Sequence, residues 1–408
     1  MANQSIKALE LMFENFVESF DAACGISRAV KTSYPDPQDM QRANDVFWRP
    51  QELALTDVSG LDISAATPAD IIDRMVPTTF RQPDNVKIKL TGLEMRDESK
   101  LKDAGEAAAK KLSALIDNAV VASIGSSAGI TVKKVGAFAW TDGATAETLL
   151  YSRGVTNVKK YLALCPTDYL SVAQDLGNKS YMGDVSKTAF ENMLVPDIGG
   201  FTTMRADNVP SITQVGTVTG TTINGAQSYT PTAMTGDLPT DNRQMVLNVS
   251  GANIANIKAG DRFTIPNVNA VHNVTKADTG TLMTFTVKSV AGGGANLTVT
   301  PALVASGPYQ NVSAQAANGA AVTFLNTVSK QANAFWADGA IALDYGNVVF
   351  PGDMGAKVMT ARTVQGVPLT MLAQLDGMGG FANIRYTTRF ATTVLCPEHC
   401  GVILANQT

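Results

Sequence analysis

An uninterrupted helical stretch from Arg96 to Ile124 constrains this 408-residue chain more than any other feature. Leu101, Ala104, Ala108, Leu112, Leu115, Ile116, Ala119 and Val120 recur at helical spacing, and no proline breaks the run. Asp97 and Glu98 fall in the first turn, where acids favour the positive end of the helix dipole. Glu106 and Lys110, spaced i, i+4, add local support. Gly125 and Ser126 are expected to end the helix. At 1.5 Å per residue it reaches on the order of 40 Å, roughly twice a common globular helix. Such a helix predicts a beam to which other elements attach.

The flanks of the beam are unusual. Residues 5–23 predict an amphipathic helix with an apolar stripe of Ile6, Leu9, Met12, Phe13, Phe16, Val17 and Phe20, beside an acidic stripe of Glu10, Glu14 and Glu18. This helix either packs on its own body or reaches a neighbour. Tyr34-Pro-Asp-Pro37 then halts regular structure. Val46-Phe-Trp-Arg-Pro50 predicts a short strand, and Val86-Lys-Ile-Lys-Leu90 alternates as a half-solvated strand should. Together they suggest an extended arm over 43–93. Extended arms bury little of their own surface, so they make sense when a neighbour covers them.

After the beam, residues 126–210 mix helices and strands. A helix is expected to open at Glu147–Tyr151, a buried strand at Tyr161–Cys165, a helix at Pro166-Thr-Asp-Tyr169 with proline in its first turn, and a further helix over Tyr181–Leu194. The composition then shifts. From about Ser211 to Lys330 there is no glutamate, tryptophan or cysteine. Strand candidates there are Met245–Val249, Arg262–Ile265, Leu282–Val290, Leu297–Thr300 and Ala321–Leu325, separated by turn signals such as Gly292-Gly-Gly294. Several short strands at this spacing predict an all-β barrel or sandwich of domain size. A mixed pattern resumes at Asn333–Ile341 and continues through the strand Arg385–Leu395, so the β segment is inserted into a discontinuous host.

Only 17% of residues are charged, below the usual quarter, as expected of a surface largely covered by partners. The net charge of −4 gives no global basic footprint for nucleic acid. Cys24, Cys165, Cys396 and Cys400 do not form a secreted disulfide framework. Glu10, Glu14 and Glu18 interrupt any signal-peptide core, and no apolar run reaches about 18 residues. A soluble protein made in a reducing cytoplasm, without membrane contact, is expected.

Chemistry is sparse. The two histidines, His272 and His399, argue against histidine-based catalysis, and His272 reads as a surface residue of the polar insert. Cys396-Pro-Glu-His-Cys400 could bind zinc, but no second pair completes a finger spacing, and a structural turn is the favoured reading. There is no Walker loop, dinucleotide fingerprint or nucleophile elbow. Lys133-Lys134 and Lys159-Lys160 read as solvated basic pairs. No catalytic, cofactor-binding or metal residue is assigned, and no enzyme or cofactor is expected.

Seven short motifs in order carry a resemblance. They are Met40-Gln-Arg42 with Trp48 and Pro50, Arg96-Asp-Glu98, Pro166-Thr-Asp-Tyr169, Asn224-Gly-Ala-Gln-Ser228, Phe335-Trp-Ala-Asp-Gly-Ala-Ile341, Pro397-Glu398 and Gly401-Val402. On these residues the chain resembles the major capsid proteins of short-tailed Salmonella-type phages (the P22 type), which have the Hong Kong 97-type capsid fold with an inserted β domain. The resemblance implies an α+β protein with an N-terminal arm (1–42), an extended loop and flanking strands (43–93), and a spine helix (94–125). Peripheral and axial parts (126–210 and 331–408) and an inserted β-barrel (211–330) complete it. It implies self-assembly into hexamers and pentamers of an icosahedral head around double-stranded DNA. A precursor shell would form with a scaffolding protein and a portal at one vertex, in the bacterial host cytoplasm, and would then expand. It places scaffold contact on Glu14 and Glu18, and an intersubunit loop of the insert on Asp237, Asp241 and Arg243. Weighed against this are a surface-binding adhesin or decoration protein using the β insert, and a metal-dependent enzyme using Cys396–Cys400.

Overall fold

A computed structural model describes residues 2–33, 46–55, 61, 64, 71–178, 183–193, 195–207, 209–350, 356–376 and 379–408. The Tyr34–Pro37 break and the Met40-Gln-Arg42 motif lie outside the described residues. The chain divides into two compact units: Met1–Phe47, Thr78–Val120 and Ala342–Thr393 in the first, and Trp48–Pro77, Val121–Ile341 and Val394–Thr408 in the second.

In the first unit, helix α1 (Ala2–Ala23) buries Met12, Phe13, Phe16 and Phe20 and leaves Glu14 and Glu18 exposed. Leu9, Met12, Phe13, Phe16 and Phe20 of the predicted stripe are therefore buried within the arm's own unit, and Val17 is half-buried. After α1 a short turn follows, and the N–H groups of Gly25, Ile26 and Ser27 converge on the Asp117 carboxylate at 3.1, 3.3 and 2.8 Å. Asp117 belongs to the long helix α2 (Glu98–Ser127). Its start is fixed by Asp97, whose Oδ1 accepts from Ser99 N at 3.1 Å.

The sheet of this unit runs Lys31–Ser33, Ile341–Gly346, Phe381–Val394, Pro368–Asp376, Ala356–Arg362, with Asp84–Thr91 also paired to Phe381–Val394. The alternation at 86–90 appears directly in the pairing. Val86, Ile88 and Leu90 sit opposite Tyr386, Ile384 and Ala382, while Lys87 and Lys89 are exposed.

The second unit contains a five-stranded sheet ordered Ile130–Lys133, Cys400–Leu404, Asn333–Ala337, Lys160–Leu164, Phe201–Arg205. Helices α3 (Trp140–Ser152), α4 (Pro166–Gly177) and α5 (Asp184–Asn192) accompany it. Its core joins Ile130, Leu150, Leu162, Val172, Ile198 and Phe335. Two of the sequence motifs meet here. Phe335 pairs with Gly401, and a side chain at 401 would collide with the Phe335 ring. The Pro166-Thr-Asp-Tyr169 motif is also explained by burial. Asp168 Oδ2 accepts from Asn333 Nδ2 at 2.7 Å, and the Tyr169 hydroxyl accepts from Val195 N at 2.8 Å.

The inserted barrel orders its strands as Thr323–Phe324, Arg262–Val271, Asp278–Ala291, Asn296–Thr300, Met245–Ala252, Thr219–Ile223. The ring centroids of Phe263 and Phe285 lie 5.6 Å apart in a core with Leu247, Val287 and Val299. At its neck, Ser211–Ile212 pairs antiparallel with Lys330–Gln331.

Several expectations need correction. Helix α2 continues through Gly125 to Ser127, because a partner distant in sequence binds the Gly125 carbonyl. Helix α3 begins at Trp140, not near Glu147, because Asp142 Oδ2 accepts the Ala139 N–H at 2.9 Å and starts the helix earlier. The strand Thr219–Ile223 was not anticipated, and Ala321–Leu325 shortens to Thr323–Phe324. Lys160 is buried against Glu147 at 2.6 Å rather than solvated. No helix among the described residues is long and apolar enough to cross a membrane.

Candidate assembly surfaces

The first candidate surface is a groove on the arm unit. Phe13 and Val17 of α1 face Ala361 of the strand Ala356–Arg362 and Val364 of the turn after it, and Glu14, Glu18 and Asp21 rim the groove. Asp21 Oδ2 accepts from Val364 N at 2.9 Å, which pins this turn to the helix. Asp21 Oδ1 is buried with no hydrogen-bond partner. Glu10 is tied to Lys357 at 3.0 Å. Val364 is almost fully exposed at 99%. The groove therefore has an apolar floor, an acidic rim and a projecting valine. The sequence placed Glu14 and Glu18 on this face. It did not place Asp21 or Val364, which come together only through the turn.

The second candidate surface is the seam of the barrel on its host. Helix α2 ends without internal partners for its last carbonyls, and the barrel binds that of Gly125 and, just past the helix, those of Ala128 and Gly129. Arg262 Nη2 donates to Gly125 O, Thr286 Oγ1 to Ala128 O at 2.7 Å, and Thr284 Oγ1 to Gly129 O at 2.7 Å. Thr131 N returns a bond to Thr284 Oγ1 at 3.0 Å, and Lys288 Nζ meets Ser127 Oγ at 2.6 Å. Arg262 is fully buried, and its Nη1 reaches the hydroxyls of Thr131 and Thr286 at 2.9 and 3.0 Å. Burial pushes this guanidinium down to about 10, so it stays charged at neutral pH. Its partners are neutral, and the negative end of the helix dipole is its counter-charge.

A second patch of the seam holds the C-terminal turn. Asn273 N donates to Arg153 O at 3.0 Å, and Asn273 Nδ2 lies 2.8 Å from His399 Nε2. Asn311 Nδ2 donates to Glu398 Oε1 at 2.6 Å. His272 is not a free surface residue. Its Nδ1 accepts from Val274 N and Thr275 N, and its ring fills the space above Gly154.

Burial also holds the thiols of Cys396 and Cys400 up at about 12, protonated at neutral pH. Cys400 lies buried in its strand and its thiol points to Pro397 O. Among the described residues no group of three or more His, Cys, Asp or Glu is placed to hold a metal ion. The chemistry of this segment is that of a packed turn.

The predicted insert-loop residues divide. Asp241 and Arg243 pair with each other at 2.8 and 2.7 Å, and Arg243 Nη1 also donates to Val394 O at 2.5 Å. Both are committed inside the subunit. Asp237 lies in the turn between the short strands Met234–Thr235 and Leu238–Pro239, where Met234 and Leu238 are 56% and 67% exposed. The outward part of this loop carries the two apolar side chains beside the exposed Asp237.

A long helix, an N-terminal arm helix, two sheets and an inserted β domain make up an α+β fold of the Hong Kong 97 capsid type. Residues 1–405 match the family described as P22 coat protein, gene protein 5, and the chain belongs to that family. It is a structural coat protein of a phage virion shell. Among solved structures it is similar to a chain of Mycobacterium phage Che8 (10% identity, 93% of this chain and 90% of that chain, TM-score 0.46). It is also similar to the capsid of cyanophage P-SCSP1u (11% identity, 93% and 87%, TM-score 0.45). The CUS-3 coat protein I-domain matches at 36% identity over 27% of this chain and 99% of that chain, with a TM-score of 0.22.

Proposed function

We propose that this coat protein forms the hexamers and pentamers of an icosahedral head around double-stranded DNA. Assembly begins with a scaffolding protein and a portal at one vertex, in the host cytoplasm, and yields a precursor shell that expands on maturation. The observation that carries the scaffold-dependent step is the arm groove. A basic amphipathic helix would lay its apolar face on Phe13, Val17 and Val364 and set its cations against Glu14, Glu18 and Asp21. Such a contact is steered by charge and weakens with salt. The insert (211–330) contributes a second contact through Met234 and Leu238, flanked by Asp237, with Asp241 and Arg243 bracing the loop from within. The spine helix changes its curvature when the shell expands.

Negative-stain electron microscopy of the protein expressed with and without its scaffolding partner tests this reading. Uniform closed particles that depend on the partner are expected. A Glu14→Lys, Glu18→Lys double variant should yield few closed particles while its thermal melting stays native. Monomers alone in both preparations, across several salt concentrations, would sink the shell reading.

A further inference from the structure

The neck of the extended segment is closed on itself and stands on the insert. Gln51 N–H donates to Arg74 O at 2.8 Å, and Arg74 Nη2 donates to Glu52 O at 3.0 Å. The insert's Tyr309, itself buried, donates its hydroxyl to Ile72 O at 2.8 Å. The same ring carries the Arg74 guanidinium, 4.1 Å from its centroid. One tyrosine thus touches the returning limb of the neck twice, just before the strand Met75–Thr79. Beside it, Met75 makes a parallel bridge to Asp241, which Arg243 holds in place.

Tyr309 stands on a braced segment. Asn311 Nδ2 donates to Ala302 O at 2.7 Å, and its Oδ1 accepts from Val304 N at 2.9 Å. The neck itself is backed by space. A cavity of about 430 Å³ opens behind it, lined by Gln51, Glu52, Arg74, Lys276, Tyr309 and Glu398 among others. Close-packed side chains normally fix a segment's position. Here the Tyr309 and Arg74 contacts take over much of that task.

We propose that Tyr309 and Arg74 form a latch by which the inserted barrel holds the neck of the extended segment. The barrel then has a role within its own subunit, which is to set how that arm leaves the unit. The use of the latch in a shell rests on the proposed function, because only there must one sequence present its arm in several quasi-equivalent positions. The latch itself is a property of the free subunit.

Hydrogen exchange of the free, full-length subunit, read by mass spectrometry on peptides covering 46–55 and 71–76, tests it. Tyr309→Phe removes only the hydroxyl bond, and Arg74→Gln removes the charge over the ring together with the guanidinium's bond to Glu52 O. Each should speed exchange of the neck amides by roughly threefold, and Tyr309→Ala by roughly tenfold. Peptides over 282–290 in the barrel core should exchange as before. Unchanged neck exchange in Tyr309→Phe and Arg74→Gln, with native melting, overturns the latch. Those two variants decide the matter if Tyr309→Ala also loosens the barrel core. Failure to form closed particles would overturn the shell reading and leave the exchange result standing.

Discussion

Helix α1 meets its sheet through Met12, Phe13, Phe16 and Phe20, with the Phe16 ring 4.4 Å from that of Tyr386. The barrel meets the end of α2 through Arg262, Thr284 and Thr286, which hydrogen-bond to backbone carbonyls. The first contact is non-directional. Its strength follows buried area, and it tolerates small shifts of one element over another. The second is directional. Each hydroxyl fits one carbonyl, and a shift of one residue would leave buried polar groups unpaired. An arm proposed to recruit a partner suits the first kind of contact, and an insert that must sit in one register suits the second.

The largest effect expected from breaking either side is at Phe16. Phe16→Ala removes a buried ring and should cost about 4 kcal/mol in urea unfolding. Arg262→Ala should cost about 3 kcal/mol, because it strands the Gly125 carbonyl and the Thr131 hydroxyl in the interior. A pair of volume-conserving variants sharpens the contrast. Phe16→Leu should cost about 1 kcal/mol, while Thr286→Val, which keeps shape and loses one hydroxyl, should cost about 2 kcal/mol by leaving Ala128 O unpaired. If Thr286→Val proves cheaper than Phe16→Leu, the directional account of the seam fails.

The smallest effect is one of pH. Burial lowers the pKa of His399 below its ordinary value of 6.5, and Arg153 reinforces the shift against the opposing pull of Glu398 and Glu52. The unfolded chain then binds more protons than the folded one between the lowered value and 6.5. Stability present above about pH 6.5 is therefore lost as pH falls through that window. Melting temperature measured against pH should drop there, and His399→Gln should flatten the drop. An equal drop in the variant would remove His399 from the account.

Elements with strong periodicity were legible in the sequence. The spine helix, the arm stripe, the alternating strand at 86–90 and four of the barrel strands follow from spacing and turn chemistry alone. The misreadings share a cause, since each depends on a partner elsewhere in the chain. Gly125 reads as a stop, yet Arg262, 137 residues away, binds its carbonyl. His272 reads as surface, yet it fills the space over Gly154. Asp241 and Arg243 stand in the insert loop that the resemblance implies, and a two-residue spacing cannot reveal that they also hydrogen-bond each other and Val394 O. Of the arm groove, the acids of α1 were visible, whereas Val364 joins them through tertiary pairing.

The ladder between Ser211–Ile212 and Lys330–Gln331 bears on how the host sheet comes together. That sheet needs Lys160–Leu164 beside Asn333–Ala337, strands separated in sequence by the whole insert. Closing a flexible loop of that length costs entropy that grows with the logarithm of its length. A barrel that folds first, on its own shorter-range pairings, brings both ends of the loop to one point. Relative to a disordered chain of equal length, this lowers the closure cost by roughly 1 kcal/mol, because residues 165–210 remain in the loop. A pre-folded insert would then serve its host as a tie between distant strands.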